Sequence, residues 1–173
     1  MENKYSYLKQ FCNKGLTDQK GPKNWFELVK ISEITKAESL IGFEFPLSLK
    51  EFWLEVGYGS LKININLYNS DLNNYIIHPL DVANIILRKD ESEDLDLPVL
   101  SDVLDMYLEE GDIPFMEVAD SSDFLKMKRD SDGIYDCGGD LLEESFEKFI
   151  WRLYHESAKY YLFVGPNPAP KPE

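Results

Sequence analysis

The apolar positions change period several times along the chain, and each change marks a predicted element. Residues 3–13 admit a helix with Leu8, Phe11 and Cys12 on its inner side, and residues 14–24, rich in Gly, Lys and Pro, read as a loop. Trp25, Leu28 and Val29 recur at helical spacing. Thr35 with Glu38 three residues on has the form of a capping box, joined to an apolar stripe of Ala37, Leu40 and Ile41. Leu49, Phe52, Trp53 and Val56 fall at i, i+3, i+4 and i+7, one face of a further helix. Its start is either Ser48 with Glu51 as caps and Leu47 against Phe52 as a staple, or Pro46 as the first helical residue. Gly57 ends it, since a C′ position favours the left-handed conformation, and Gly59 keeps the turn flexible.

The period then becomes two. Leu61, Ile63, Ile65 and Leu67 alternate with Lys62, Asn64 and Asn66, which predicts a strand with one buried and one wet face in an antiparallel sheet. Residues 74–78 read as a second strand. Pro79 and Asp81 open a helix to about Arg88, with Arg88 and Lys89 at the negative end of its dipole. Residues 90–96 read as a solvated acidic loop, and Ser101 caps a helix with Val103, Leu104, Tyr107 and Leu108 on one face, closed by Gly111. Three short strands follow at 113–118, 123–127 and 133–136, parted by turn-like Ser121–Ser122 and Ser131–Gly133. Asp140 is placed to cap a last helix whose inner stripe is Leu142, Phe146, Phe149, Ile150 and Leu153. Strands in consecutive runs indicate an α+β fold, a central antiparallel sheet flanked by helices. Residues 1–164 read as one domain and 165–173, with four prolines, as a flexible tail.

Composition narrows the class. Hydrophobic residues make up 43% of the 173, enough for a core, and no apolar run approaches the roughly 18–20 residues that span a bilayer. No secretory signal is visible at the N-terminus, so a cytoplasmic protein is expected. Two distant cysteines, Cys12 and Cys137, suggest ordinary buried thiols rather than a disulfide framework or metal site. The net charge is −14, and residues 90–147 hold 20 acidic and three basic side chains, a net of −17. Such a field repels nucleic acid and anionic membranes and draws basic partners, although acidic surface can also serve solubility alone.

Catalytic chemistry is not legible. There is no phosphate loop, HExxH or nucleophile elbow, and the two histidines, His78 and His155, fit helix ends or partly exposed faces. Asp130-Ser131-Asp132-Gly133 lacks the spacing and the bidentate Glu of a calcium loop and reads as a hairpin turn. Trp25, Trp53 and Trp151 lie on apolar stripes and are assigned to core packing. No enzyme, cofactor or metal is expected.

One stretch carries a resemblance. Glu38 and Gly42, the Phe45-Pro46 step, Phe52 with Trp53, and Gly57-x-Gly59 occur in an order similar to the SUKH (SMI/KNR-like) family. Ile113-Pro114-Phe115 resembles the family's IPF strand, Gly133-Ile134-Tyr135 its short strand ending in an aromatic, and Ser145-Phe146-Glu147-Lys148-Phe149 its closing helix. Residues 90–111 look like an insertion, and the segment before Trp25 has no clear counterpart. Glu38, Gly42, Pro46, Phe52, Trp53, Gly57, Gly59, Pro114 and Phe146 are thus the signature positions. The resemblance implies binding: many bacterial members are immunity proteins that neutralise a secreted toxin, often a nuclease, while fungal members are interaction proteins tied to cell-wall synthesis. A nuclease holds phosphates with basic surface, which an acidic inhibitor can meet and occlude. The expected partner is therefore a basic toxin domain bound by a monomer or weak dimer. The expected contacts are Asp90, Glu91, Glu93, Asp94 and Asp96 in one loop, Asp120 and Asp123 at a turn, and Tyr58 between the paired glycines.

Overall fold

The computed structural model describes residues 3–12, 24–62, 73–88, 107–118 and 123–156, the side chains of 62 and 73 excepted. A 3-10 helix, Ser6–Phe11, is followed by β1 (Trp25–Glu27), α1 (Ile31–Ile41), α2 (Leu47–Glu55), β2 (Tyr58–Lys62), β3 (Asn73–Ile76) and α3 (Pro79–Ile86). Then come β4 (Asp112–Glu117), β5 (Phe124–Lys128), β6 (Ile134–Tyr135), β7 (Leu141–Glu143) and α4 (Phe146–His155). The seven strands form one sheet in sequence order, every neighbouring pair antiparallel. The architecture is α+β, as the runs of strands predict.

The core lies between one sheet face and the helices. Phe26, Leu61, Ile76, Met116, Leu125, Met127 and Ile134 meet Phe52, Trp53, Phe146, Phe149 and Ile150 in a single buried cluster. Phe146 meets both Phe52 and Phe115 edge-on, the geometry aromatic quadrupoles favour, with centroids 5.6 Å and 5.4 Å apart. Trp53 is fully buried and its indole N–H donates to the Ile77 carbonyl at 3.0 Å, so its polar atom is satisfied.

Several predicted elements move. Residues 25–29 are not helical: Trp25, Phe26 and Glu27 run half-buried, buried and exposed, a period of two, because β2 offers them a sheet edge. Helix α1 starts at Ile31, not near Thr35. Its entry is held by Glu33, which accepts the Lys30 N–H at 2.8 Å, while the Thr35 hydroxyl donates inside the helix to the Ile31 carbonyl. Ser48 and Glu51 do not cap α2. Pro46 is its N-cap, Leu47 is 69% exposed and staples nothing, and the Ser48 hydroxyl turns to Asp132. Residues 141–143, expected in the last helix, form β7, so Ser145 rather than Asp140 caps α4, accepting the Lys148 N–H at 3.4 Å.

The N-terminal helix is a 3-10 turn that buries Leu8 beside Tyr5. Trp25 is half-buried, and Trp151 is 46% exposed and stacked on His155, so only Trp53 of the three tryptophans is a fully buried core residue. Cys12 and Cys137 are free and half-buried rather than buried. The predicted strand positions 63–67, most of the helix expected over 101–111, and the 165–173 tail lie outside the described residues.

Candidate interaction site on the outer sheet face

Paired residues on neighbouring strands share a face, so the register sorts the side chains. Phe26, Gly59 and Ile76 stand in line and face the core; Trp25, Ser60 and Tyr75 stand in line and face outward. Glu27 pairs with Tyr58 on that outer face, and Tyr75 pairs with Glu117. The outer side of β1–β4 therefore carries three aromatic rings and two carboxylates, and α3 adds Asp81 at its first turn.

The paired glycines build this face. A Cβ on Gly57 would lie 1.9 Å from the Glu27 carbonyl oxygen, and one on Gly59 2.2 Å from that of Trp25. Both have positive φ, 107° and 145°. Only glycine lets β1 lie this close to β2, and that contact brings Trp25 to the tyrosines. The ring centroids are 6.2 Å apart for Trp25 and Tyr58, 6.1 Å for Trp25 and Tyr75, and 6.5 Å for Tyr58 and Tyr75. Tyr58 also meets the His78 ring edge-on at 4.7 Å. His78 is fixed because its Nδ1 accepts the Leu80 N–H at the start of α3, leaving Nε2 toward Glu33 at 3.7 Å.

Negative charge converges here. The Tyr58 hydroxyl donates to Glu27 Oε2 at 2.7 Å, and that bond, followed by partial burial, raises its pKa to about 12. Tyr75 is pushed up to about 12 by burial and then by the charges of Asp81, Glu117 and Glu27. The Glu117 carboxyl is raised by partial burial and by Asp81. Both tyrosines stay neutral hydrogen-bonding groups at physiological pH.

Of the expected contact residues, Tyr58 lies in this cluster, on strand β2 rather than on a turn. Asp123 is exposed at the head of β5, where its carbonyl accepts the Val118 N–H at 3.0 Å. Asp90, Glu91, Glu93, Asp94, Asp96 and Asp120 lie outside the described residues. Trp25, expected in the core, and Asp81, expected only at a helix start, join Tyr58 here together with Glu27, Tyr75 and Glu117, for which no role was expected. The signal was the outward alternation of 25–27 and 73–76, hidden in strands of three and four residues.

The acidic half is not all surface. Asp112 and Lys126 form an ion pair at 2.6 Å with side chains 2% and 3% exposed, and Lys126 also donates to the Tyr107 carbonyl at 2.7 Å. Glu143, 5% exposed, receives Lys148 at 2.8 Å and Arg152 at 3.0 Å. Burial acts to raise the Glu143 pKa, but the hydrogen bonds from Lys148 and Arg152 outweigh it and hold the carboxyl below its ordinary value. The other two cations of 90–147 lie over rings, Lys128 5.2 Å from the Tyr135 centroid and Arg129 5.0 Å from that of Phe43. Glu109, Glu110, Asp123, Asp130, Asp140, Glu144 and Glu147 remain exposed. Among the described residues no group of three or more His, Cys, Asp or Glu is arranged to hold a metal ion, and no helix is long and apolar enough to cross a membrane.

Fold and site together define an α+β protein built on an antiparallel meander, with aromatic and acidic groups gathered on one sheet face. The model of the SMI1 / KNR4 family (SUKH-1) matches residues 28–153, and the chain belongs to that family. Comparison with curated proteins and with solved structures gave no match.

The signature positions have structural duties. Glu38 accepts the Phe45 N–H at 2.9 Å and pairs with Lys50 at 3.1 Å, locking α1 to α2 across Gly42, whose φ of 81° closes α1. Pro114 precedes a bulge in β4, where a missing N–H is tolerated. The shifted Phe115 packs on Phe146 and Phe149, and its carbonyl accepts the Ile77 N–H at 2.9 Å. Asp132, in the expected hairpin turn, accepts the Phe146 N–H at 3.2 Å and so anchors the start of α4.

Proposed function

We propose that this protein is an immunity protein: a one-domain cytoplasmic inhibitor, residues 1–164, that binds a basic secreted toxin, such as a nuclease, and blocks its access to substrate by stoichiometric contact. Membership of the SMI1 / KNR4 family supports a reading of this kind. The observation that carries the reading is the outer sheet face, where half-exposed aromatic rings stand among Glu27, Asp81 and Glu117. Aromatic anchors fixed on rigid strands and ringed by charge are the chemistry of interface hot spots. The exposed carboxylates of 107–147 and the acidic 90–96 segment add long-range attraction for a basic partner. The proposed contact set is Tyr58 with the 90–96 acids, Asp120 and Asp123.

The test is affinity purification from the native organism, with the bound protein compared with the products of the adjacent genes. A one-to-one complex with a basic toxin domain encoded next to this chain is the expected result. Recovery of cell-wall synthesis proteins, with no toxin, would replace the reading by that of a regulatory or scaffold module.

A further inference from the structure

The outer-face cluster has a more specific chemistry than a generic contact patch. Trp25, Tyr58 and Tyr75 form a triangle with centroid separations of 6.1–6.5 Å, their ring planes inclined by 53–80°. Ser60, 4% exposed, lies in register between Trp25 and Tyr75 and supplies a small side chain between the two rings. The three rings pack on one another over Ser60, so their outward faces and edges form one aromatic surface on which an organic cation can lie. Three carboxylates surround it: Glu27 bonded to Tyr58, Glu117 beside Tyr75, and Asp81 at the start of α3. All three act on Tyr75 from different elements, β1, β4 and α3.

We propose that this trio is a receptor for one arginine side chain of the protein partner, the guanidinium lying on the rings with its N–H groups directed to the Glu27 and Glu117 carboxylates. The proposal rests on the protein-binding reading above and names the group that reading leaves open. A planar guanidinium suits the site better than an ammonium. It stacks on aromatic faces, sheds water more readily and offers a fork of donors to carboxylates on two sides. Two of the three rings are tyrosines held neutral, and the cluster stands on three hydrogen-bonded strands, so little ordering is needed on binding.

The probe is a blocked tripeptide, acetyl-Gly-Arg-Gly-amide, titrated into the full chain while the Trp25 indole and the Tyr58 and Tyr75 ring resonances are followed by NMR. The comparison peptides replace arginine by citrulline, which keeps the shape without the charge, and by lysine. Saturable shifts confined to the trio are expected, with a dissociation constant on the order of millimolar for so small a ligand. Citrulline should bind at least about fivefold more weakly, and lysine more weakly than arginine. Trp25→Leu and Tyr75→Leu should each weaken arginine binding by about fivefold or more. Glu117→Gln, which leaves the rings in place, should weaken it while the trio's unliganded resonances stay dispersed.

Equal binding of citrulline and arginine, tighter binding of lysine, or unchanged binding in Glu117→Gln would overturn the proposal. These titrations contain no toxin, so their failure leaves a toxin-inhibition measurement standing, and the converse also holds.

Discussion

Removing Lys126 while leaving Asp112 tests how the acidic half of the chain is built. The two side chains are 2.6 Å apart and almost wholly buried, and Lys126 also satisfies the Tyr107 carbonyl. At an effective dielectric of about 20 their mutual attraction is roughly 6 kcal/mol, and desolvating two ions costs several kcal/mol each, so the pair as a whole adds little. Breaking it is another matter. Lys126→Met leaves an uncompensated carboxylate and an orphaned carbonyl, a loss of about 3–5 kcal/mol. For a protein of this size that is a fall in Tm of roughly 6–20 °C. The double variant Asp112→Asn with Lys126→Met removes both charges and should recover a large part of the loss. Urea unfolding at neutral pH, followed by circular dichroism at low and high salt, reads both effects. Because the pair is buried, the cost should change little with salt. A single-variant loss below about 1 kcal/mol, or costs that simply add in the double variant, would refute the buried-pair reasoning.

Glu143 gives a pH signature. Its folded pKa is depressed by Lys148 and Arg152, so its contribution is present above the unfolded carboxylate value, about 4.3, and is lost as pH falls through the folded value. Glu143→Gln should cost about 1–2 kcal/mol at pH 7, with the gap to the native chain narrowing as pH falls below the unfolded carboxylate value; a constant gap would exclude this linkage. Gly59→Ala should cost about 2 kcal/mol or more and move Trp25 emission toward that of solvated indole, because its Cβ meets the Trp25 carbonyl. Gly42→Ala, with nothing within 4 Å, should cost only about 1–2 kcal/mol and leave Trp25 unchanged. Equal effects would mean that β1 is not held by the glycine pair. Charge reversal at Asp90, Glu91, Glu93, Asp94 and Asp96 should slow toxin association and flatten its salt dependence. An unchanged rate at low salt would remove that loop from the contact set.

The strongly periodic stretches were legible in the sequence: α2 from Leu49, Phe52 and Trp53, α3 from Pro79 onward, and the β4 and β5 strands near their observed places. Strands β1 and β7 were not, for a physical reason. Each has three residues, too short to show a period of its own, and each exists because a neighbouring strand supplies an edge. Apolar spacing at Trp25, Leu28 and Val29 fits a helix equally well until β2 is in place. Capping signals failed in the same way. Thr35 and Glu38 have the right types and spacing, but both lie inside α1, and Glu38 is committed to the Phe45 N–H. Tyr58 was found through its glycine neighbours. Its partners Trp25, Tyr75 and Glu117 come from strands whose register only the folded sheet reveals.

An inhibitor that acts by occupancy alone is recognised directly by a titration of toxin activity. Purified chain is added stepwise to the basic toxin encoded beside it, and residual toxin activity is followed against molar ratio. Activity falling in a straight line to zero at one equivalent, with both proteins chemically unchanged by mass spectrometry, is the predicted result. Activity that persists at about tenfold excess, or that vanishes far below one equivalent, would contradict it.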